Sequence, residues 1–312
     1  MTSRNYADLT ILAPPAGIKL ELRMALAFDR GALRRYIERS LQDLPAMPTV
    51  VATILEASEQ PDTTASDLDR LISSDQAISS KVLRVVNSAY YGLSAKVATT
   101  SHAIVILGFQ QVRNLVLSMA AMSLVKARVP GLAKIQYAFW RHSFGAAAAA
   151  LLLSKRQNVE HTDRDLAHVG ALLHDLGKLF LLSSFSEAYR ETLQVAVKEQ
   201  MPLLKAEDRV LGINHAEVGE YITSAWKFPE PLTFVVANHH GPYSELPDAA
   251  LAIVHAANHY TKRAGFPAVP TPQVALDEHV AAWLDISDED ERQLNEDIQA
   301  KVEAAEELFE VL

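Results

Sequence analysis

Apolar residues recur at intervals of three and four along most of the chain, which is the spacing of one face of an α-helix. Leu68, Leu71 and Ile72 form one such stripe, and Val112 and Leu115 begin another. Few stretches show the strict alternation of apolar and polar residues that is typical of a half-buried strand. The pattern therefore predicts an all-α fold.

Residues that can cap a helix, or end one, give approximate boundaries. Ser66, with Asp69 three residues later, is predicted to begin one helix. Asp75 is predicted to begin the next helix, and Ser101 a third one that ends before Gly108. In the second half, helices are predicted over 134–155, 163–174, 186–199, 203–209, 215–226, 231–238, 247–263 and 288–310.

The helices divide into two packed parts with a segment at each end. Residues 1–28 are predicted to be an N-terminal tail, and 29–129 an N-terminal helical subdomain. A second helical bundle is predicted over 130–265, and an acidic helical extension over 266–312. A length of 312 residues suits one large domain or two small ones.

The absence of cysteine narrows the chemistry. With no cysteine in 312 residues, disulfides, thiolate-ligated zinc, iron–sulfur clusters and thiol nucleophiles are excluded. The sequence also shows no serine triad, no P-loop and no dinucleotide-binding fingerprint. The eleven histidines are the more informative residues.

The net charge of −9 lies in one place. Residues 285–312 hold eleven acidic and two basic side chains, so the preceding residues balance at 27 of each sign. A protein that binds a phosphate backbone usually has a strongly basic face. We therefore expect no DNA partner, and the simplest role of the acidic residues is the solvated face of a helix.

No membrane segment is expected. The longest strongly apolar run, Phe144–Leu153, is about half the length that spans a bilayer. The first 29 residues lack the basic, apolar and small-residue succession of a signal peptide. A cytoplasmic location is the expectation that follows.

Histidines and one aspartate form a candidate metal-binding set. His174 and Asp175 are adjacent, His215 begins a predicted helix, and His239 and His240 end another. Neutral imidazoles and a carboxylate suit iron, manganese, nickel or zinc, and one carboxylate can bridge two ions. Two such ions can clamp a phosphoryl group and lower the pKa of a bound water.

Other interpretations of the same residues stay open. A single buried histidine such as His168 or His255 is more often a hydrogen-bonded core residue than a ligand. His239 and His240 also suit the negative end of a helix dipole. The whole set is compatible with a metal-free centre in which the histidines hydrogen-bond one another.

The order of these residues resembles a known family. His142, His174-Asp175, His215 and His239-His240 follow the pattern of the HD superfamily of metal-dependent phosphohydrolases, which includes the HD-GYP phosphodiesterases. The chain resembles more narrowly the HDOD domain family, over roughly Leu33 to Gly265. The segments that carry this resemblance are Leu44-Pro45-Ala46-Met47-Pro48, Ile72-Ser73-Ser74-Asp75, Lys81-Val82-Leu83-Arg84-Val85-Val86-Asn87-Ser88-Ala89-Tyr90-Tyr91, Ala103-Ile104-Val105-Ile106-Leu107-Gly108, Phe139-Trp140-Arg141-His142-Ser143 and Trp226-Lys227-Phe228-Pro229.

The resemblance implies roles for particular residues. The second bundle would be of the HD type, with Asp175 as the bridging ligand and a member of the catalytic set. His142 and His174 would hold one ion, and the other three histidines the second: His215, His239 and His240. Lys178, the other catalytic candidate, would face a substrate phosphate. The implied cofactor is a pair of divalent ions, iron first, with manganese, nickel or zinc as alternatives.

Two departures from the family pattern bear on the function. The last superfamily ligand is an aspartate, but the matching residue here is Asn258, which is neutral and a weaker ligand. A third ion is not expected, because Ala138 stands where the trinuclear members have an acidic residue. Gly241-Pro242-Tyr243 replaces the Gly-Tyr-Pro signature, which disfavours hydrolysis of cyclic di-GMP.

The leading hypothesis is a regulatory or output module of bacterial signal transduction, with little or no catalysis. Such a module would bind a signalling protein in trans, or a nucleotide second messenger, through a helical surface across both halves. The alternative hypothesis is a metal-dependent phosphohydrolase or phosphodiesterase with a dinuclear centre. A third is a metal-based redox or oxygen sensor. The oligomeric state stays open.

Overall fold

The described residues are mainly helical. The computed structural model describes residues 30–44, 46–58, 60, 62–124 and 133–306, and within these ranges no strand is present. This confirms the predicted all-α fold. The predicted tail at 1–28, the boundary at 129 and residues 307–310 of the last predicted helix lie outside these ranges.

Six helices lie in the described residues of the first part of the protein. Leu33 and Ile37 of the first helix and Leu68 and Ile72 of the third are fully buried. Their spacing of four residues is the amphipathic period from which the helices were predicted. The helices are α1 (Arg30–Gln42), α2 (Thr49–Ser58), α3 (Ala65–Ser73), α4 (Gln76–Val86), α5 (Thr100–Leu107) and α6 (Phe109–Leu124).

Two of the predicted caps are wrong by two residues. The cap of α3 is Thr64 rather than Ser66, because Thr64 and Asp67 exchange hydrogen bonds in a capping box. Likewise, Thr99 rather than Ser101 accepts the backbone N–H that begins α5. The predicted cap at Asp75 is confirmed, since its carboxylate accepts two backbone N–H groups of α4.

The second part is a bundle around one long helix. α7 packs closely on two neighbours, α8 and α14, through the small residues of Gly145–Ala150. A Cβ at Gly145 would lie only 2.7 Å from a methyl group of Thr261, so glycine permits this approach. The helices are α7 (Ala133–Arg156), α8 (His161–Leu173), α9 (Leu176–Ser184), α10 (Ser186–Lys198), α11 (Leu203–Val210), α12 (His215–Ala225), α13 (Glu230–Asn238) and α14 (Ala249–Arg263).

Two further helices follow the bundle: α15 (Glu278–Leu284) and α16 (Asp288–Ala304). The predicted cap of α16 is confirmed, because Ser287 forms a capping box with Asp290. The apolar stripe of α16, which includes Ile298 and Val302, is buried against α7. Its four acidic residues at the first turn suit the positive end of the helix dipole.

The two helical parts share a hydrophobic core. One cluster of buried residues includes side chains of α1 to α6 together with side chains of α7 to α13. Tyr90 from the first part packs edge-on against Phe144 of α7 at a centroid distance of 5.6 Å. The exact limits of the two parts stay predictions.

One helical stretch, His161–Ser184, is long and apolar enough to cross a membrane. However, 89% of its most apolar window is buried inside the protein, as expected of a core helix. A bent pair formed by Thr100–Leu107 and Phe109–Ala120 passes the same test only if it is counted as one span.

Candidate metal centre

The structure brings the six predicted imidazole and carboxylate ligands to one place inside the bundle. Each comes from the end or middle of a helix, and all but one are fully buried. The residues are His142 in α7, His174 and Asp175 between α8 and α9, His215 at the start of α12, and His239 and the half-buried His240 at the end of α13.

Asp175 lies at the middle of the set. Its Oδ1 atom is 3.4 Å from Nε2 of both His174 and His215, and 3.8 Å from Nε2 of His239. Its Oδ2 atom is 3.6 Å from Nε2 of His142. One carboxylate therefore lies close to imidazoles from the middle of one helix and the ends of three others, which is the arrangement that a bridging ligand requires.

The potential ligand atoms divide into two groups. His142, His174 and Asp175 offer atoms that all lie within 4.8 Å of one another, and so do His215, His239 and His240. This division coincides with the one that the family resemblance implies. Whether these residues ligate an ion stays a prediction.

Three of the histidines are oriented by the same kind of hydrogen bond. In each, Nδ1 lies within hydrogen-bond distance of a backbone carbonyl oxygen. Since a carbonyl only accepts, Nδ1 carries the proton and Nε2 presents a lone pair to the centre. The pairs are His142 with Phe266 (2.9 Å), His174 with Ala171 (2.6 Å) and His239 with Val236 (2.8 Å).

His215 is held by a carboxylate that the sequence analysis missed. Glu207 is fully buried in α11 and accepts from both Nδ1 and the backbone N–H of His215. The hydroxyl of Tyr189 also donates to Glu207, at 2.8 Å. The sequence signal that could have identified Glu207 is its position on the apolar face of a predicted helix, next to Ala206.

Several polar atoms at the centre lack a partner. The buried atoms Oδ1 of Asp175 and Nε2 of His239 have no hydrogen-bond partner among the described residues. Nε2 of His142 lies 3.3 Å from Nε2 of His174. With both Nδ1 atoms protonated, these two lone pairs face each other and need a proton or a cation between them. The residues therefore fit divalent cations.

A direct bond between imidazoles is also present. Nε2 of His215 lies 2.7 Å from Nε2 of His240, so a shared proton would satisfy this pair without metal. The metal-free alternative from the sequence is thus compatible with this half of the centre. It leaves the atoms of Asp175 and His239 unsatisfied.

The protonation states favour cation binding. Burial lowers the pKa of His142, His239 and His240 well below its usual value, so these imidazoles are neutral. Burial alone would raise the pKa of Asp175, but the adjacent His174 and the ammonium group of Lys178 hold it well below its usual value. Neutral imidazoles around an ionised carboxylate are in the forms that metal ions require.

Lys178 and Asn258 complete the surroundings. Lys178 is only 4% exposed, and its ammonium donates to Oδ2 of Asp175 at 2.6 Å. Asn258 is equally buried in α14, and its Oδ1 atom has no hydrogen-bond partner among the described residues. Both side chains, together with His215 and His240, line a cavity of 230 Å³ beside the centre. The catalytic role of Lys178 stays a prediction.

His255 supports the centre from outside. Its Nδ1 atom donates to the backbone oxygen of His239 at 3.0 Å, and its Nε2 atom accepts the N–H of Asp277 at 3.1 Å. Both nitrogens are used, so His255 is the core histidine that the sequence alternative described.

Comparison with known proteins gives the family. The family model described as "HDOD domain" matches residues 44–242. An uncharacterized protein of Treponema pallidum (strain Nichols) is 26% identical over 200 residues, which is 64% of this chain. The match spans only 38% of that longer protein.

Three solved structures share the fold. An HDOD domain protein of unknown function from Geobacter sulfurreducens has a TM-score of 0.69 and 23% identity, over 89% of this chain and 97% of that one. A provisionally named phosphohydrolase from Shewanella amazonensis SB2B has a TM-score of 0.66 and 23% identity, over 87% and 97%. A provisionally named signal transduction protein from Marinobacter aquaeolei VT8 has a TM-score of 0.70 and 19% identity, over 97% and 69%. With the family model matching well over half of its residues, this chain belongs to the HDOD domain family.

Proposed function

We propose that the chain is a regulatory module of bacterial signal transduction that binds divalent metal at Asp175 and acts on a partner protein in trans, with little or no catalysis. The observation that carries this proposal is the set of inward-facing Nε2 atoms around one ionised carboxylate, each held by a hydrogen bond at Nδ1. The HDOD family and the fold shared with a signal transduction protein support the regulatory part.

The donor set indicates which ions fit. His142, His174 and Asp175 would hold one ion, and the second group of three histidines the other, with Asp175 between them. Imidazole-rich sites suit iron, and also manganese, nickel and zinc. When bound, such ions would supply Lewis-acid stabilisation of a phosphoryl oxygen.

The charges of the centre favour binding over turnover. Asp175 is already paired with Lys178, and Glu207 is used by His215 and Tyr189. Asn258 brings no charge to the position where the superfamily has a carboxylate. No unpaired carboxylate is therefore left, among the described residues of the centre, to accept a proton from water.

A direct contact connects the first part of the protein to the centre. Arg34 of α1 donates to the backbone oxygen of Gly212 at 2.7 Å and pairs with Glu217 at 3.2 Å. Glu217 forms the capping box of α12 with Asn214, one residue before His215. A change at the metal centre would reach α1 through this contact, which offers a route to a partner.

Metal content, measured by mass spectrometry on protein purified without oxygen or chelator, tests the proposal. We expect about two ions per chain in the wild type, as in other paired-ion sites. Asp175→Ala should lose them, whereas Asp248→Ala, which changes an exposed aspartate away from the centre, should retain them. About one ion per chain would indicate that Asn258 has weakened the first position. Absence of metal from the wild type would refute the metal-binding part.

A metal-dependent phosphohydrolase is the second candidate. The cavity that reaches His215, His240 and Lys178 is the observation in its favour, since a phosphoester there would contact both the centre and a cation. Nucleotides and cyclic dinucleotides should be screened for turnover with iron, manganese and nickel. Efficient hydrolysis that His174→Ala abolishes would establish this candidate in place of the regulatory one.

A further inference from the structure

The cavity beside the metal centre is lined by cations and by no acidic residue. It lies between the start of α11, the middle of α14 and the segment 267–275. Lys178 lies at its inner end, Lys262 in its wall, and the exposed Lys205 at its rim. None of the side chains that line it is an aspartate or glutamate.

Lys262 is a cation of the cavity wall that forms no ion pair with a described carboxylate. It follows Asn258 by one turn of α14 and is half-buried. No salt bridge of Lys262 or Lys205 occurs in the described part of the chain. Burial and, to a smaller extent, the charge of Lys178 lower the pKa of Lys262 to about 8, although Asp175 opposes both effects. The cavity therefore contains two ammonium groups, those of Lys178 and Lys262, and the described carboxylate that acts on both is that of Asp175.

A second, independent observation indicates a ligand. Asn258 is 4% exposed and lines the same cavity, and its Oδ1 atom has no hydrogen-bond partner in the described chain. A buried amide oxygen with no partner carries a desolvation cost that a donor would remove. A hydroxyl group of a ligand is such a donor.

The size and the walls of the cavity restrict the ligand. A volume of 230 Å³ is ample for a phosphate and a pentose. The outer walls are apolar and include Pro202, Leu204, Pro267, Val269 and Pro272. They would cover an uncharged group attached to the phosphate.

We propose that this cavity binds a phosphomonoester of mononucleotide size, with its phosphate between Lys262 and Lys205 and a hydroxyl group donating to Asn258. The inference deepens the proposed function, on which it rests for its regulatory meaning, by naming the ligand class. The phosphate contacts belong to the lysines, so binding does not require metal.

Calorimetric titration with inorganic phosphate and AMP tests the proposal, on the full chain, first in EDTA and then with metal. Lys262→Gln should raise the Kd for both probes by about tenfold or more, because a charge-assisted contact to phosphate is lost. Lys262→Arg, which keeps the charge, should bind within about threefold of the wild type. Lys198→Gln is the matched control, because Lys198 is exposed on α10 and outside the cavity.

Three results would overturn the proposal. They are no binding of either probe to the wild type, equal binding by Lys262→Gln and the wild type, or tighter binding of a cyclic dinucleotide than of AMP. Asn258→Leu should weaken AMP more than inorganic phosphate; equal weakening would remove the hydroxyl contact from the proposal. Thermal unfolding of each variant checks that it is folded.

The metal content of the same proteins separates this inference from the proposed function. If the protein as purified contains no metal, yet binds phosphate in EDTA in a way that depends on Lys262, the inference stands and the metal-binding function is refuted. Two ions per chain without phosphate binding would support the metal-binding function and refute the inference about the cavity.

Discussion

Replacing Gly177 with alanine adds one methyl group, which should push apart the two segments that carry Asp175 and His215. Gly177 lies in the first turn of α9, two residues after Asp175, against the first turn of α12. A Cβ at Gly177 would lie 2.0 Å from the backbone oxygen of His215 and 3.0 Å from the backbone nitrogen of Gly219. Ordinary contact begins at 3.4 Å, so the two helices must move apart by about 1.4 Å.

The magnitude follows from what the methyl group meets. Overpacking costs about 1–3 kcal/mol, and we expect the upper limit because a helix backbone cannot rotate away. The better helix propensity of alanine offsets about 1 kcal/mol. Gly177→Ala should therefore lose about 2 kcal/mol, which lowers the Tm by about 4 °C in a chain of this size.

The effect on metal should exceed the effect on stability. In the wild type, Oδ1 of Asp175 lies 3.4 Å from Nε2 of His215. A separation of about 1.4 Å between the two helices would increase this distance. We expect metal affinity to fall by about tenfold or more, as when a supporting group of a metal site is lost. Metal content and competitive chelator titration, well below the Tm, measure this change.

The matched control is Gly170→Ala in α8. A Cβ there meets methyl groups of Val235 and Val254, at 2.8 and 3.3 Å, and side chains can adjust. We expect a Tm within about 2 °C of the wild type, because the propensity gain offsets the crowding, and unchanged metal content. Equal metal affinity in Gly177→Ala and the wild type would refute the reasoning.

Four further outcomes are expected. Glu207→Gln should lower metal affinity by about 10–100-fold in chelator titration, because a neutral amide orients His215 less strongly. Asn87→Ala should lose about 1–2 kcal/mol in urea unfolding, because its side chain joins the end of α4 to Val97 by two hydrogen bonds. Burial lowers the pKa of His168 to about 4, so the unfolded chain binds more protons between pH 6.5 and 4; stability should fall as the pH falls through this window, and His168→Gln should reduce that slope in urea unfolding. Arg34→Ala should change stability by less than about 1 kcal/mol, yet remove any protection of α1 from hydrogen exchange that metal confers.

Much of the fold could be predicted because most helices have one apolar face and a polar cap. α7, predicted over 134–155, was found at Ala133–Arg156. Among the described residues, three helices were missed: Thr49–Ser58, Leu176–Ser184 and Glu278–Leu284. In Leu176–Ser184 the side chains from Leu176 to Leu182 are all buried, so the helix lacks the polar face on which periodicity depends.

The candidate ligands were accessible to sequence reasoning, whereas their supports were not. His174 and Asp175 could be recognised because the motif is local. Glu207 gave only the weak signal of an acidic residue on an apolar helix face, and its contact with His215 exists only once the segment between α11 and α12 has folded. Such contacts are set by tertiary packing, which a single sequence does not encode in any short window.

The distribution of the ligands along the chain also has a temporal consequence. The centre and its surroundings combine His142, near the middle of the chain, with Asn258, which lies 116 positions later. During synthesis, earlier segments fold first, and closing so long a loop carries an entropic cost. A nascent chain that ends before α14 therefore lacks one wall of the centre and of the adjoining cavity. If the chain binds metal as proposed, loading should therefore come after α14 has been synthesised.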